Sequence, residues 1–166
     1  MSTQMFGERV QRLADAKLVR GEGSFIDDIP LADALHVAFV RSPFARARIL
    51  SIDCEAAREM DGVAAVYTAD DLGPLDILMP LLIPHPSLTE PRTQRPLARD
   101  DVFHVGQAVA MVVAVDRYTA EDAVRLIDVE YEPLDVELGL EAAVAEDAPR
   151  VHHDVANNVA AHFIQT

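Results

Sequence analysis

The chain has 166 residues, 50% apolar and 25% charged, with a formal net charge of −14, ten prolines, seven glycines and one cysteine. That length and apolar content suit one domain with a sizeable core and exclude a disordered acidic chain. The lone Cys54 excludes an internal disulfide, an all-cysteine iron–sulfur cluster and a four-cysteine zinc site, and the negative charge opposes binding to nucleic-acid phosphates.

The N-terminal MSTQMFGERVQRLADAK lacks the basic-then-apolar order of a secretory signal. No run of about 18 apolar residues follows, so no membrane span is expected and the expected setting is cytoplasmic and reducing. Residues 1–20 carry Glu8 and Asp15 against Arg9, Arg12, Lys17 and Arg20, a net +2. Residues 116–147 carry eleven acids against Arg117 and Arg125, a net −9. This acidic stretch reads as a solvated face, with steering of a basic partner as its other use.

Residues 18–28 (LVRGEGSFIDD) read as a loop. Gly21-x-Gly23 lacks the third glycine of a dinucleotide fingerprint and the Gly-Lys-Ser/Thr of a phosphate loop, which leaves a turn needing positive φ. Residues 35–40 (LHVAFV) predict a strand, and beyond Pro43 residues 45–52 (ARARILSI) alternate like a strand with one wet face. Ser42, Pro43 and Phe44 between them predict a hairpin or a tight crossover. Asp53 is placed to cap a short helix over 54–60 that Gly62 ends. Residues 63–67 (VAAVY) predict a strand, and Thr68 and Asp71 have capping-box spacing.

Residues 73–99 hold six of the ten prolines, so no regular structure is expected there. A loop of that length in a compact domain is functional, packed on a partner, or disordered. Its LDILMPLLIP run argues against disorder and predicts a segment that covers another surface, including one outside this chain. Residues 102–115 are nearly continuously apolar, as in a strand buried on both faces at the centre of the core. Thr119 and Asp122 are expected to cap the next helix, whose Ala120, Ala123, Val124 and Ile127 share one face. Residues 128–131 (DVEY) resume as a strand stopped by Pro133, completing a compact strand–helix–strand unit. A last short helix is expected over 140–145.

No constellation marks an active site. Cys54, at a helix start where the dipole lowers a thiol pKa, reads first as a small core residue. His152, His153 and Asp154 have poor chelation geometry, because neighbours on a strand face opposite ways. His36 and His104 read as partly buried strand residues, and His85, in the proline-rich stretch, as a contact at a binding surface. Arg41, Arg46 and Arg48 cluster around a stiff turn with Phe44 as an exposed aromatic between guanidinium groups. That composition suits an interface core, and it equally suits charge protection of an edge strand.

Taken in order, RLADAKLVRGEGSFIDD, RSPFARARI, GVAAVYTADDL, RPLARDDVFHVGQAVAMVVA, AEDA and VEYEPL resemble the start of the molybdenum-binding large chain of the xanthine dehydrogenase/aldehyde oxidase family, its carbon monoxide dehydrogenase-like members included. The resemblance covers roughly residues 7–165. Phe44 and Arg46 stand where histidines are frequent in this motif. It implies an α+β fold, the α/β-hammerhead domain, with a mixed small sheet and short helices over residues 1–150. Residues 151–166 are then a linker or the start of a molybdopterin domain.

The family's molybdopterin contacts and catalytic glutamate lie downstream of this region, so no catalytic, cofactor-binding or metal residue carries over. The resemblance implies the hammerhead portion of a molybdenum hydroxylase or dehydrogenase complex that oxidises aldehydes or aza-heterocycles with water-derived oxygen. The portion itself would be structural and inactive alone. Its implied partners are the remaining molybdopterin-binding large chain and iron–sulfur and flavin subunits. Molybdopterin cytosine dinucleotide, iron–sulfur clusters and FAD would be held by the complex and not by this chain. Arg41, Phe44, Arg46 and His85 are the expected partner contacts. The alternative is a stand-alone binding or assembly module that keeps the fold without catalysis.

Overall fold

The computed structural model describes Gly7 and residues 11–90 and 92–164, so most of the basic N-terminal stretch before residue 11 lies outside the described residues. The chain divides into two compact units, Met1–Ala34 and Leu35–Thr166. The first holds helix α1 (Asp15–Val19), which buries no residue, and a 3₁₀ turn over Ile26–Asp28 closed by the Phe25 N–H donating to Asp28 Oδ2 at 2.9 Å. Gly21 has φ +73°, the left-handed turn that its loop predicts.

The second unit carries β1 (His36–Arg41), β2 (Ala47–Asp53), α2 (Glu55–Arg58), β3 (Val63–Tyr67), β4 (Asp101–Val102), β5 (Ala108–Ala114), α3 (Arg117–Val124) and β6 (Asp128–Pro133). These strands form two three-stranded sheets, ordered β1-β5-β3 and β4-β2-β6, with every pair antiparallel. Ala110 and Val112 of β5 pack with Val66, Cys54, Ala57, Ala123 and Ile127 into a core under α2 and α3. A second core gathers Ala47, Ala98, Val102 and Val109 beneath Phe44 and Tyr131. Ile52 and Val129, paired across β2 and β6, touch both cores and join them. The β5 segment sits at the centre, as its unbroken apolar run predicts.

Of the two connections offered for the turn after β1, the structure has the crossover between sheets: Ser42 is buried and spends its hydroxyl on the turn, accepting the Phe44 N–H and donating to the Phe44 carbonyl, both at 3.0 Å. Two other connections differ from the sequence reading. The run 102–115 is two strands, since Gly106 at φ +89° turns the chain between β4 and β5. The strands flanking α3 join different sheets, so strand–helix–strand here is a bridge between sheets. Asp116, one turn ahead of the expected cap, starts α3 by accepting the Thr119 N–H at 2.8 Å and the Thr119 hydroxyl at 2.9 Å. The last expected helix is a 3₁₀ turn, Ala142–Val144.

Two of the connections that cross between sheets, β1–β2 and β4–β5, lie side by side and bond to each other. The Ser42 N–H donates to the Gln107 carbonyl at 2.9 Å, and the Gly106 N–H returns to the Ser42 carbonyl at 2.8 Å. The buried Gln107 side chain accepts the Phe103 N–H at 2.7 Å, closing the second turn.

Residues 150–163 fold back over the proline-rich segment. Leu88 and Ala161 form an antiparallel bridge, the Thr89 N–H donates to the Ala160 carbonyl and the His162 N–H to the Ser87 carbonyl, both at 3.0 Å. Asn158 holds the stretch by donating to the Ala143 and Pro149 carbonyls and accepting the Val151 N–H. Arg92 pairs with Asp154 at 2.5 Å, and the His152 ring packs on Phe103 with centroids 4.4 Å apart. Burial and, next, the Arg92 charge hold His152 below the usual imidazole range, against the opposing pull of Asp154.

Gln107→Ala leaves the Phe103 N–H without its acceptor, and the expected outcome is a loss of about 1–3 kcal/mol, read from the urea midpoint. The pH dependence of the tail follows from His152. The unfolded chain takes up the imidazole proton more readily than the folded one. The stabilisation is therefore complete above the ordinary value of 6.5 and is lost as pH falls through it to the lower folded value. Hydrogen exchange over residues 150–163, corrected for intrinsic rates, should accelerate from about pH 7 to about pH 5. His152→Phe, which keeps the ring packing, should remove that dependence.

Candidate functional site

The proline-rich segment is a pinned loop. Asp76, whose side chain is 6% exposed, accepts the Arg99 Nε–H at 2.6 Å on Oδ2 and lies 3.2 Å from Arg95 Nη1 on Oδ1. Arg95 also donates to the Asp76 carbonyl, and Arg99 reaches Asp70 at 2.5 Å and the Ala69 carbonyl at 3.1 Å. Burial by itself would raise the Asp76 pKa. The hydrogen bond from Arg99 and the charges of Arg95 and Arg99 outweigh it and hold the carboxyl below its ordinary value. Further out the Met79 N–H donates to the Gln94 carbonyl at 3.0 Å and the Thr93 hydroxyl to the Met79 carbonyl. The loop is thereby closed at its base without a ladder, as proline demands.

Beyond the pinch, Ile77, Leu78, Met79, Leu81, Leu82 and Ile83 are all exposed, Leu82 at 89%, and residues 77–84 carry no charge. Scattered exposed apolar residues are ordinary, but six in one uncharged stretch make a contiguous apolar patch. His85, at the end of this stretch, is exposed. Its Nδ1 accepts the Ser87 N–H at 3.1 Å and its ring lies against Phe163 at 5.3 Å.

The arginine turn does not form one cluster. Arg41 donates to the Gly106 carbonyl at 2.8 Å and lies over the Phe39 ring, Arg46 donates to the Asp135 carbonyl at 2.9 Å, and Arg48 pairs with Glu132 at 2.5 Å. Phe44 is half-buried against Tyr131, ring centroids 5.2 Å apart, and seals the second core; it is not an exposed aromatic between guanidinium groups. The side chains of Arg41 and Arg48 remain accessible, and Arg46 is half-buried.

A groove of about 580 Å³ runs between the pinned loop, the β4–β5 turn and the tail, with Arg92, Gln94, Arg95, His104, His152 and Asp100 on its walls. Its arginines are matched by Asp76, Asp70 and Asp154, so it offers no net positive field. His153, on the tail beside it, comes only to 4.0 Å of Asp101. His36 and His104 are exposed, not partly buried, because one opens its strand and the other sits in the turn that Gly106 makes. Cys54 is buried in the first core, and burial raises its thiol pKa against the partial opposition of Arg58, so it is no activated nucleophile. Among the described residues no group of three His, Cys, Asp or Glu is placed to hold a metal ion. The donor set does not fit a molybdenum or iron–sulfur holder, and no reaction step is assigned to these side chains. The pinch and the Gln107 bond were not signalled in the sequence. Asp76 meets Arg95 and Arg99 across 19 and 23 residues, beyond any local spacing rule.

Residues 20–135 match the a/b hammerhead domain of aldehyde oxidase and xanthine dehydrogenase. The chain is 40% identical over 157 residues to the carbon monoxide dehydrogenase large chain of Afipia carboxidovorans, covering 94% of this chain and 18% of that one. It is 38% identical over 138 residues to the xanthine dehydrogenase molybdenum-binding subunit of Escherichia coli O157:H7, covering 81% of this chain and 18% of that subunit. Among solved structures, quinoline 2-oxidoreductase from Pseudomonas putida 86 superposes with a TM-score of 0.75 at 40% identity, over 92% of this chain and 19% of the other. The chain thus spans about a fifth of the length of the relatives it matches, and the match includes the pinned loop, both crossing turns and all six strands. The chain belongs to the aldehyde oxidase and xanthine dehydrogenase family, and its fold is that family's α/β-hammerhead domain.

Proposed function

We propose that this chain is the hammerhead portion of a molybdenum-containing hydroxylase or dehydrogenase, and that its own role is to pack against the remaining molybdopterin-binding large chain. The observation that carries this reading is the uncharged, exposed run of residues 77–84, held in place by the Asp76 pinch. A loop ordered at its base and apolar at its flank loses little entropy on docking. His85 at the end of that run, and Arg41, Phe44 and Arg46 at the first crossing turn, complete the proposed contacts, with Phe44 acting from beneath by bracing the turn. Residues 151–166 continue toward the next domain in this reading. Oxidation of an aldehyde or aza-heterocycle with water-derived oxygen belongs to the assembled enzyme in a cytoplasmic complex. Iron–sulfur and flavin subunits are the further partners. The cofactors, molybdopterin cytosine dinucleotide, iron–sulfur clusters and FAD, lie outside this chain. The relatives' names, which include a molybdenum-binding subunit and a carbon monoxide dehydrogenase large chain, support this reading.

The test is native mass spectrometry of the chain co-expressed with the polypeptide that completes the family's length in the same genome. The expected outcome is a stable complex carrying molybdenum. Asp76→Ala, which unpins the loop while leaving both cores intact, should lower recovery of that complex by about tenfold with an unchanged circular dichroism spectrum. Recovery of the chain only as a bare monomer or dimer would overturn the proposal and leave a stand-alone module.

A further inference from the structure

The β1-β5-β3 sheet packs one face on the first core, where Ala110, Val112, Ala114 and Val66 are buried, and leaves much of the other open. Register sets the open face: Val37 and Ala65 flank Val113, while Phe39 and Tyr67 flank Met111. Directly opposed residues on antiparallel strands share a face, so these six side chains form two rows across three strands. Val37 is 49% exposed, Phe39 37% and Tyr67 36%, and Ala65, Met111 and Val113 are half-buried. The same face of β5 begins at Val109, which is fully buried in the second core. The face therefore runs from core into solvent within four residues.

An antiparallel sheet with a solvated face normally alternates apolar and polar residues along its strands. Here the six side chains carry no charge, the Arg41 guanidinium lying at their rim, and the Tyr67 hydroxyl is the one polar group among the six. The AVAMVVA sequence of β5 is that of a strand covered on both sides. Six apolar side chains in register, continuous with a closed core, have the composition of an interior.

We infer that the open face of the β1-β5-β3 sheet, formed by Val37, Phe39, Ala65, Tyr67, Met111 and Val113, is a second docking surface, and that its occupant is an apolar surface of the remaining large chain. This rests on the proposed role in a molybdenum enzyme. The relatives supply the reason for that occupant: they are more than five times the length of the matched region, so most of the polypeptide that could cover the face lies outside these residues. Arg41, over the Phe39 ring at 5.3 Å, sits at the rim of the face and favours an acidic or carbonyl group at the edge of the occupant.

The test uses the co-expressed complex and the chain alone. Side-chain carbene footprinting should show Phe39, Met111 and Tyr67 protected in the complex and labelled in the free chain. Phe39→Asp combined with Val37→Asp should lower co-purification by about tenfold or more, with the melting curve of the free chain confirming that it folds. Footprinting of the unmodified complex decides the matter if that double variant does not fold. Labelling of the face unchanged by complex formation overturns the assignment while leaving the proposed function standing. Failure of the unmodified chain to associate at all overturns the proposed function, and with it the named occupant. Protection in the free chain together with a doubled native mass overturns the assignment in favour of a second copy of this chain.

Discussion

Two chain crossings meet at one point, and the arrangement of both sheets depends on how they bond there. The β1–β2 and β4–β5 connections each pass from one sheet to the other, which takes backbone out of its ladder in a buried region. Unpaired amides there would cost about 1–3 kcal/mol each. Ser42 and Gln107 solve this reciprocally: each crossing supplies the acceptor for a donor of the other, and the Gln107 side chain satisfies the Phe103 N–H besides. Two polar residues are thus buried at the join between apolar cores, where an apolar substitute of the same size would leave donors unmet. The crossover bond fixes where β2 begins, and hence that Ile52 and Val129 face both cores at once.

The elements were more legible than their partners. β-branched runs located β1, β3, β5 and β6, because strand formation follows from local residue type and period. The Thr68–Asp71 box was visible from spacing, and the Asp71 carboxylate accepts both the Thr68 N–H at 2.7 Å and the Thr68 hydroxyl at 2.9 Å. Those bonds, the backbone one first, hold the Asp71 pKa down against the effect of burial. Sheet membership was not legible. A hairpin and a crossover through Ser42-Pro43-Phe44 differ only in which strand lies alongside, and that is decided by Gln107, 65 residues beyond Ser42 in the chain. The family itself was legible through several segments in register, since a shared order of short motifs is more specific than any one of them.

The candidate site was legible as a composition and not as a geometry. Six prolines and a run of leucines, isoleucine and methionine indicate an ordered, irregular, apolar segment. What orders it is the Asp76 carboxylate held between Arg95 and Arg99, a contact that no periodicity encodes. Phe44 shows the converse error. An aromatic flanked by arginines has the composition of an interface, yet its ring fills the space over Tyr131. The arginines around it turn to three separate acceptors on the β4–β5 turn, on β6 and just beyond it. Burial depends on the third dimension, and a residue next to a turn can point either way.

The distribution of charge gives these features a common logic. The acids concentrate between residues 116 and 147, on α3, on β6 and in the stretch that follows, where they hydrate the chain and oppose self-association. The uncharged run 77–84 and the open face of β1, β5 and β3 lie on other elements altogether. An evenly charged chain would keep the isolated domain soluble equally well, but it would put carboxylates into any surface that must be dehydrated on assembly. Burying even a few of these without partners would cost more than the apolar contact returns. Segregating charge from apolar surface leaves the run 77–84 and the open sheet face cheap to desolvate. The described residues thus set apart from that charge two cores locked at one crossing, an apolar loop pinned at its base, and a sheet with one apolar face half exposed.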